Sequence, residues 1–327
     1  MKPPPSRLRS SLARRAYSTL LQLLKPFYVA RLWWRGRAEP LYRHRVAERL
    51  GAYRGARSEG WIWLHAVSLG ETRAAATLIA ALRERKPGMK LLLSHGTATG
   101  RTAGQELLAD GDQQVWLPYD TPGVVQRFFS QFRPAVGVLM ETEVWPNLLR
   151  GAQRAGVPML LANARLSERS LSKALRLDAV MRPAAASLSA VLAQSEADAR
   201  RLKLAGATRV QVCGNLKFDI TPDAGLLARG QRWRAASIRP IVLAANTREG
   251  EEAALLTAWR ALAGPRPRLL LVPRHPQRFN DVAVLATQAG WSLTRRSQWS
   301  DGGPDDAALA AEVWLGDTMG EMPAYYA

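Results

Sequence analysis

From residue 61 onward the chain repeats one unit: a short apolar run, a turn, then a stretch with helical period. The runs are WIWLHA (61–66), MKLLLS (89–94), QVWLP (114–118), PAVGVLM (134–140), VPMLLA (157–162) and SLSAVLAQ (187–194). Runs this short and this apolar read as strands buried on both faces. Between them lie amphipathic stretches such as ETRAAATLIAALRER and TPGVVQRFFSQF. Strands that alternate with helices of that length pair in parallel, because each crossover carries the chain back to the edge it left. The right-handed crossover rule then places helices on both faces of the sheet.

A Pro- and Arg-rich passage at 221–238 interrupts the alternation and reads as an interdomain linker. A second cycle follows, with apolar runs at 239–245, 268–273 and 312–316. The expected organisation is a lead-in at 1–60, a first Rossmann-like domain at 61–220, the linker at 221–238, and a second Rossmann-like domain at 239–327. At 327 residues, two domains is also the expectation from length. The second domain shows fewer strands than a doubly wound domain usually has, so it reads as incomplete. Two such sheets facing across a cleft would bind ligand at their strand ends.

Charge narrows the class of partner. The net charge is +19, and residues 1–60 carry fourteen Lys/Arg against three acidic residues, so eleven of those charges sit in the lead-in. A chain this basic is drawn to nucleic acid, anionic lipid or phosphorylated ligands. The apolar run from Ala16 to Trp34 is broken by Lys25, Pro26 and Arg31, and falls short of a spanning helix. Flanking arginines with Trp33 and Trp34 suit a helix lying at a membrane interface. An ordinary first helix with a basic tail has the same composition.

The one cysteine, Cys213, excludes an intramolecular disulfide, fits a reducing compartment and is expected to be a buried, inert thiol. His44, His65, His95 and His275 are scattered without metal-ligand spacing, so no zinc site is expected.

The residues that follow the strands carry the chemistry. Glu71 stands where the run 61–66 turns into a helix, and a carboxylate there faces the ligand crevice. Ser68-x-x-Glu71 is equally a capping box. Glu141 and Glu143 follow the strand 134–140 directly, and two carboxylates so close raise one another's pKa unless one is paired. Lys217, in GNLKFD, offers a cation to the end of the first domain. Asn246–Glu252 opens the second domain's first helix, where free amides bind phosphate and Asn-x-x-Glu is again a cap. Pro273-Arg274 after a buried strand supplies a phosphate fork, and LGDTMGE (315–321) is a turn-rich loop of the same kind.

Taken in order, HAVSLGET, LPYD, ETEVWPN, NARLSERS, AQSEADAR, GNLKFD, PRHPQRF and LGDTMGE resemble the Kdo transferases of lipopolysaccharide synthesis, from about Trp34 to the last residue. The resemblance implies a GT-B arrangement of two Rossmann-like domains, acceptor-binding first and CMP-Kdo-binding second. It implies an inverting transfer of 3-deoxy-D-manno-octulosonic acid from CMP-Kdo to the lipid A precursor, lipid IVA. It implies Glu71 as catalytic base, and Glu141 and Lys217 as groups that stabilise the transition state. It also implies Pro273, Arg274, Met319, Gly320 and Glu321 as CMP-binding segments. The basic lead-in would anchor the chain at the cytoplasmic face of the bacterial inner membrane, with no metal, no cofactor and no nucleic-acid partner. Asn246 and Arg248 depart from the Ser and His more usual there. Members of the family continue for roughly another hundred residues, so the resemblance implies a truncated chain with an incomplete CMP pocket and weak or absent activity.

Two other readings share parts of this pattern. Another nucleotide-sugar enzyme could use the same architecture, since fold does not fix chemistry. A nucleic-acid-binding protein would share the charge, but no helix-turn-helix, zinc or RNA-binding signature accompanies it.

Overall fold

A computed structural model describes residues 5–219, 222–300 and 303–327. The chain divides into two compact units, residues 1–220 and 221–327.

The first unit holds a seven-stranded parallel sheet. Its strands are β1 (Ile62–His65), β2 (Leu91–His95), β3 (Gln113–Trp116), β4 (Val136–Met140), β5 (Met159–Ala164), β6 (Ala190–Ala193) and β7 (Val210–Val212), in the order β3-β2-β1-β4-β5-β6-β7. All six runs read as strands from the sequence are present. β7 leaves no such run in the sequence because it has three residues and lies at the sheet edge, where an apolar run is not required. That edge also corrects the expectation for Cys213: it follows β7 and is exposed, not buried.

Side chains of adjacent strand residues point to opposite faces, and each face has its own core. Trp63, Leu92 and Leu139 pack on one side with Phe128, Phe129 and Phe132 of the helix Pro122–Phe132. Leu64, Leu91, Leu93, Val138 and Met140 pack on the other with Ala74, Ala75 and Ile79 of the helix Leu69–Arg85. Both helix layers are thereby fixed by the alternation within the strands. Gly137 in β4 lets the layers close, since a Cβ there would run into Met159 Sδ and the Trp63 ring.

Residues 7–35 form one helix, α1 (Arg7–Arg35), capped by Ser6. Its inner face packs within the first unit: Tyr17 donates to Asp120 (2.9 Å), Ser18 donates to Asn147 (2.9 Å), and Leu32 is buried with Tyr42 and Ala98. The rest of the lead-in is woven into the edge of the sheet. Buried Glu48 accepts from Trp116 N (2.9 Å) and pairs with Arg101, while Arg49 covers the Trp116 ring at 4.0 Å. Among the described residues no helix is long and apolar enough to cross a membrane.

The second unit has, among its described residues, a four-stranded parallel sheet. Its strands are β8 (Ile241–Thr247), β9 (Arg268–Pro273), β10 (Leu293–Arg295) and β11 (Val313–Leu315), in the order β10-β11-β9-β8. Three-residue β10 was not legible in the sequence. The passage expected as a linker proves to be largely the helix Ala224–Ala236, which belongs to this unit. Its Trp233 is buried against Trp299, Trp314 and Tyr325, an aromatic cluster that outweighs the Pro- and Arg-rich flanks.

Candidate active site

The sheet order of the first unit reverses between β1 and β4. From β1 the chain moves outward to β2 and β3, then returns to lay β4 on the other side of β1. The helices that follow β1 and β4 therefore leave on opposite faces, and a crevice opens between the two carboxyl ends. Glu71 follows β1 and Glu141 follows β4, so the topology brings together two residues seventy positions apart.

Glu71 sits at the third position of the helix Leu69–Arg85, whose cap Ser68 bonds back to Glu71 N (3.4 Å). The carboxylate accepts from Ser68 Oγ (3.1 Å) and from the amide of Val67 (2.7 Å), one residue before the cap. The expected capping role is thus present, shifted by one amide. Burial raises the Glu71 pKa first, and repulsion from Glu141 adds to it, against the pull of the Val67 and Ser68 hydrogen bonds. A partly buried carboxyl held above its usual range is what a general base near neutral pH requires.

Glu141 is buried and clamped. Arg165 donates from Nε at 2.8 Å to one oxygen, and Lys217 Nζ lies 3.6 Å from the other. Its backbone is left-handed (φ 57°), a strained state for a side chain with a Cβ. The strain is held in place by the bond from Glu141 N to Ala162 O (2.9 Å) across to β5. Of the two carboxylates read from the sequence as mutually repelling, Glu141 is the one that is paired. Glu143 is the other: burial first, then Glu71 and Glu141, raise its pKa to about 7, although Trp145 Nε1 donates to it at 2.6 Å.

Two contributors are not legible in the sequence. Arg165 lies just past β5 in NARLSERS and faces Glu141 only because β5 pairs with β4. Asn163, also left-handed (φ 51°), accepts from Leu216 N (3.2 Å) and so fixes the Lys217 turn beside Glu141. Its buried Nδ2 has no partner among the described residues. Strain at three polar strand ends, Glu141, Asn163 and Asn246, marks positions where conformation matters more than local stability.

In the second unit the segments read as nucleotide-binding follow adjacent strands. Pro273 ends β9 and Arg274 follows it, exposed, its amide on Thr247 O (3.0 Å). The loop after β11 holds exposed Met319 and left-handed Gly320 (φ 84°). Glu321 differs from both. It is buried, accepts from Arg229 (2.8 Å), Arg296 (2.9 Å) and Thr318, and anchors the loop. Burial pushes its pKa up, but Thr318, Arg296 and Arg229 together outweigh that and hold it below the usual carboxylate range. The Asn246-x-x-Glu249 cap does not form. Arg248 N bonds instead to Glu251 (2.7 Å), and Thr247 and Arg278 grip buried Glu252.

Among the described residues no group of three His, Cys, Asp or Glu side chains could hold a metal. His65 and His95 are buried in the first core, and burial drives them down to about 3 and about 4, so they are neutral packing groups.

Two Rossmann-like units, the first with carboxylates gathered at its switch point, make up a fold of the GT-B type. Two solved structures share the fold. The UDP-GlcNAc 2-epimerase of Neisseria meningitidis is 12% identical with TM-score 0.53, covering 81% of this chain and 74% of that one. A glycosyltransferase of Rickettsia africae is 14% identical with TM-score 0.50, covering 82% and 70%. Residues 44–220 match the family model described as 3-deoxy-D-manno-octulosonic-acid transferase (kdotransferase). A 3-deoxy-D-manno-octulosonic acid transferase of Bordetella pertussis is 45% identical over 330 aligned positions, covering 97% of this chain and 76% of the relative. The chain belongs to the Kdo transferase family and is an enzyme of that glycosyltransferase class.

Proposed function

We propose that the chain transfers Kdo from CMP-Kdo to the lipid A precursor lipid IVA, with inversion, at the cytoplasmic face of the inner membrane. Glu71 takes the proton of the acceptor hydroxyl as that oxygen attacks the anomeric carbon and the bond to the CMP phosphate breaks. Lys217 and Arg165, clamped on Glu141, supply fixed positive charge near the reacting centre. Arg274 and the Met319–Gly320 turn face solvent and are free to meet the CMP phosphate and base, while Glu321 holds their loop. The observation that carries the reading is a Glu71 carboxyl raised by burial at the β1–β4 switch point, beside a Glu141 paired with Arg165 and Lys217.

Membrane association is supported by α1. Its outward face exposes Leu8, Leu12, Leu20, Leu23, Phe27 and Trp34 along one stripe, a pattern suited to lying in an interface.

The test is transfer of Kdo from CMP-Kdo to lipid IVA by the full chain, wild type against Glu71→Gln. Gln keeps an acceptor for the Val67 amide, so thermal stability stays near normal. The rate should drop by roughly a hundredfold to ten-thousandfold. An active Glu71→Gln chain reduces Glu71 to a helix cap.

A further inference from the structure

A second polar site lies away from the carboxylates, in the groove between the helices Pro122–Phe132 and Pro146–Ala155. The cavity there is about 640 Å³, and Arg14, Arg57, Arg133, Arg150 and Arg154 line it. The five come from four separate places: α1, the loop before β1, the residue that closes the first helix in a left-handed turn (φ 38°), and successive turns of the second helix. Among the described residues, the acidic group paired with any of them is Glu59, 3.5 Å from Arg133, with both side chains mostly exposed. Asp120 is nearby, but Tyr17 and the amides of Asn147 and Leu148 already occupy it.

Arginine at a helix C-terminus is often placed by the helix dipole alone. That accounts for Arg133 and Arg154. It leaves Arg14, Arg57 and Arg150 unexplained, and Arg14 is the most telling. It is partly buried, and burial followed by repulsion from Arg150 and Arg154 lowers its pKa. Holding guanidinium groups against one another in a half-enclosed groove is unfavourable unless an anion fills it. Planar guanidinium forks arriving from several directions fit the oxygens of a phosphate.

We infer that this arginine groove is a binding site for a phosphate group, carried by an anionic lipid headgroup or by a soluble phosphate. Its lining shares no residue with the carboxylate cluster, so the inference stands or falls independently of the proposed transfer reaction.

The experiment uses the full chain and three probes: phosphatidylcholine vesicles, the same vesicles with a fifth of the lipid as phosphatidic acid, and inorganic pyrophosphate. Arg150→Ala/Arg154→Ala is compared with Arg200→Ala/Arg232→Ala, which removes equal charge from exposed positions elsewhere. All four positions are exposed, and an unchanged melting temperature confirms the fold; Arg57→Ala provides an independent loop variant. The groove pair should weaken binding to phosphatidic acid vesicles by about tenfold or more, and the control pair by about twofold or less. Pyrophosphate binding that is lost in the same groove variants supports a soluble phosphate as ligand. Loss seen with vesicles alone supports a lipid headgroup. Equal loss in both pairs, or no loss in the groove variants with either probe, overturns the site.

Discussion

At the scale of single residues, the carboxylates of the first unit differ because their surroundings differ. Glu141 has two cations, Glu71 has an amide and a hydroxyl, and Glu143 has one indole. Glu143 keeps its proton up to about 7 when folded and releases it near 4.5 when unfolded. Its contribution to stability is therefore complete below 4.5 and lost as the pH rises through 7. Glu143→Gln cannot ionise, so its stability relative to wild type should improve by roughly 2 kcal/mol between pH 5 and pH 8 in urea titrations. The sequence placed Glu71 and Glu141 correctly at strand ends, because strand and helix periods are local. It could not rank the carboxylates. Their partners, Arg165 and Lys217, lie 24 and 76 positions from Glu141 and meet it through the pairing of neighbouring strands and the turn after β7.

At the scale of elements, the central strands of the first sheet combine tight packing with buried ring nitrogens. Gly137→Ala would press a methyl against Met159 and Trp63, and should destabilise the unit by about 1–3 kcal/mol in equilibrium unfolding. On β1 and β2, His65 and His95 have folded pKa values well below the 6.5 of the unfolded chain. The unfolded state thus gains protons that the folded state refuses. Stability is full above 6.5 and falls as the pH drops towards about 4, by about 2 kcal/mol per histidine at pH 5. His95→Gln should flatten that acid limb, measured as the change in urea midpoint from pH 7 to pH 5. An unchanged limb would place the acid sensitivity elsewhere. The six longer strands of the first unit are legible because their buried stretches, on both faces in β1, β2 and β4 and at the Val115–Trp116 end of β3, read as apolar runs. β7 and β10 are not, since three residues at a sheet edge carry too little pattern.

At the scale of the whole molecule, the charge concentrated in the first sixty residues takes on a shape. α1 docks inward through Tyr17 and Ser18, which bond, and through buried Leu32, and it carries a second apolar stripe outward. An exposed apolar stripe on a helix whose other face is already docked fits a helix with a second apolar phase to meet. Leu23→Glu/Phe27→Glu should leave the melting temperature unchanged, because both side chains are exposed. It should weaken vesicle binding by about a hundredfold. Equal binding by the variant would remove α1 from the interface. The sequence by itself determined the parallel α/β architecture and the strand-end positions of Glu71, Glu141 and Arg274, because hydrophobic period and strand–helix junctions are properties of neighbouring residues. It misread 221–238 as a linker and Cys213 as buried. Only the tertiary structure decided those, along with the pairing of Glu141, the raised carboxyls and the convergence of five arginines. Each depends on which distant segments the fold brings to within a few ångströms and how far it excludes water from them.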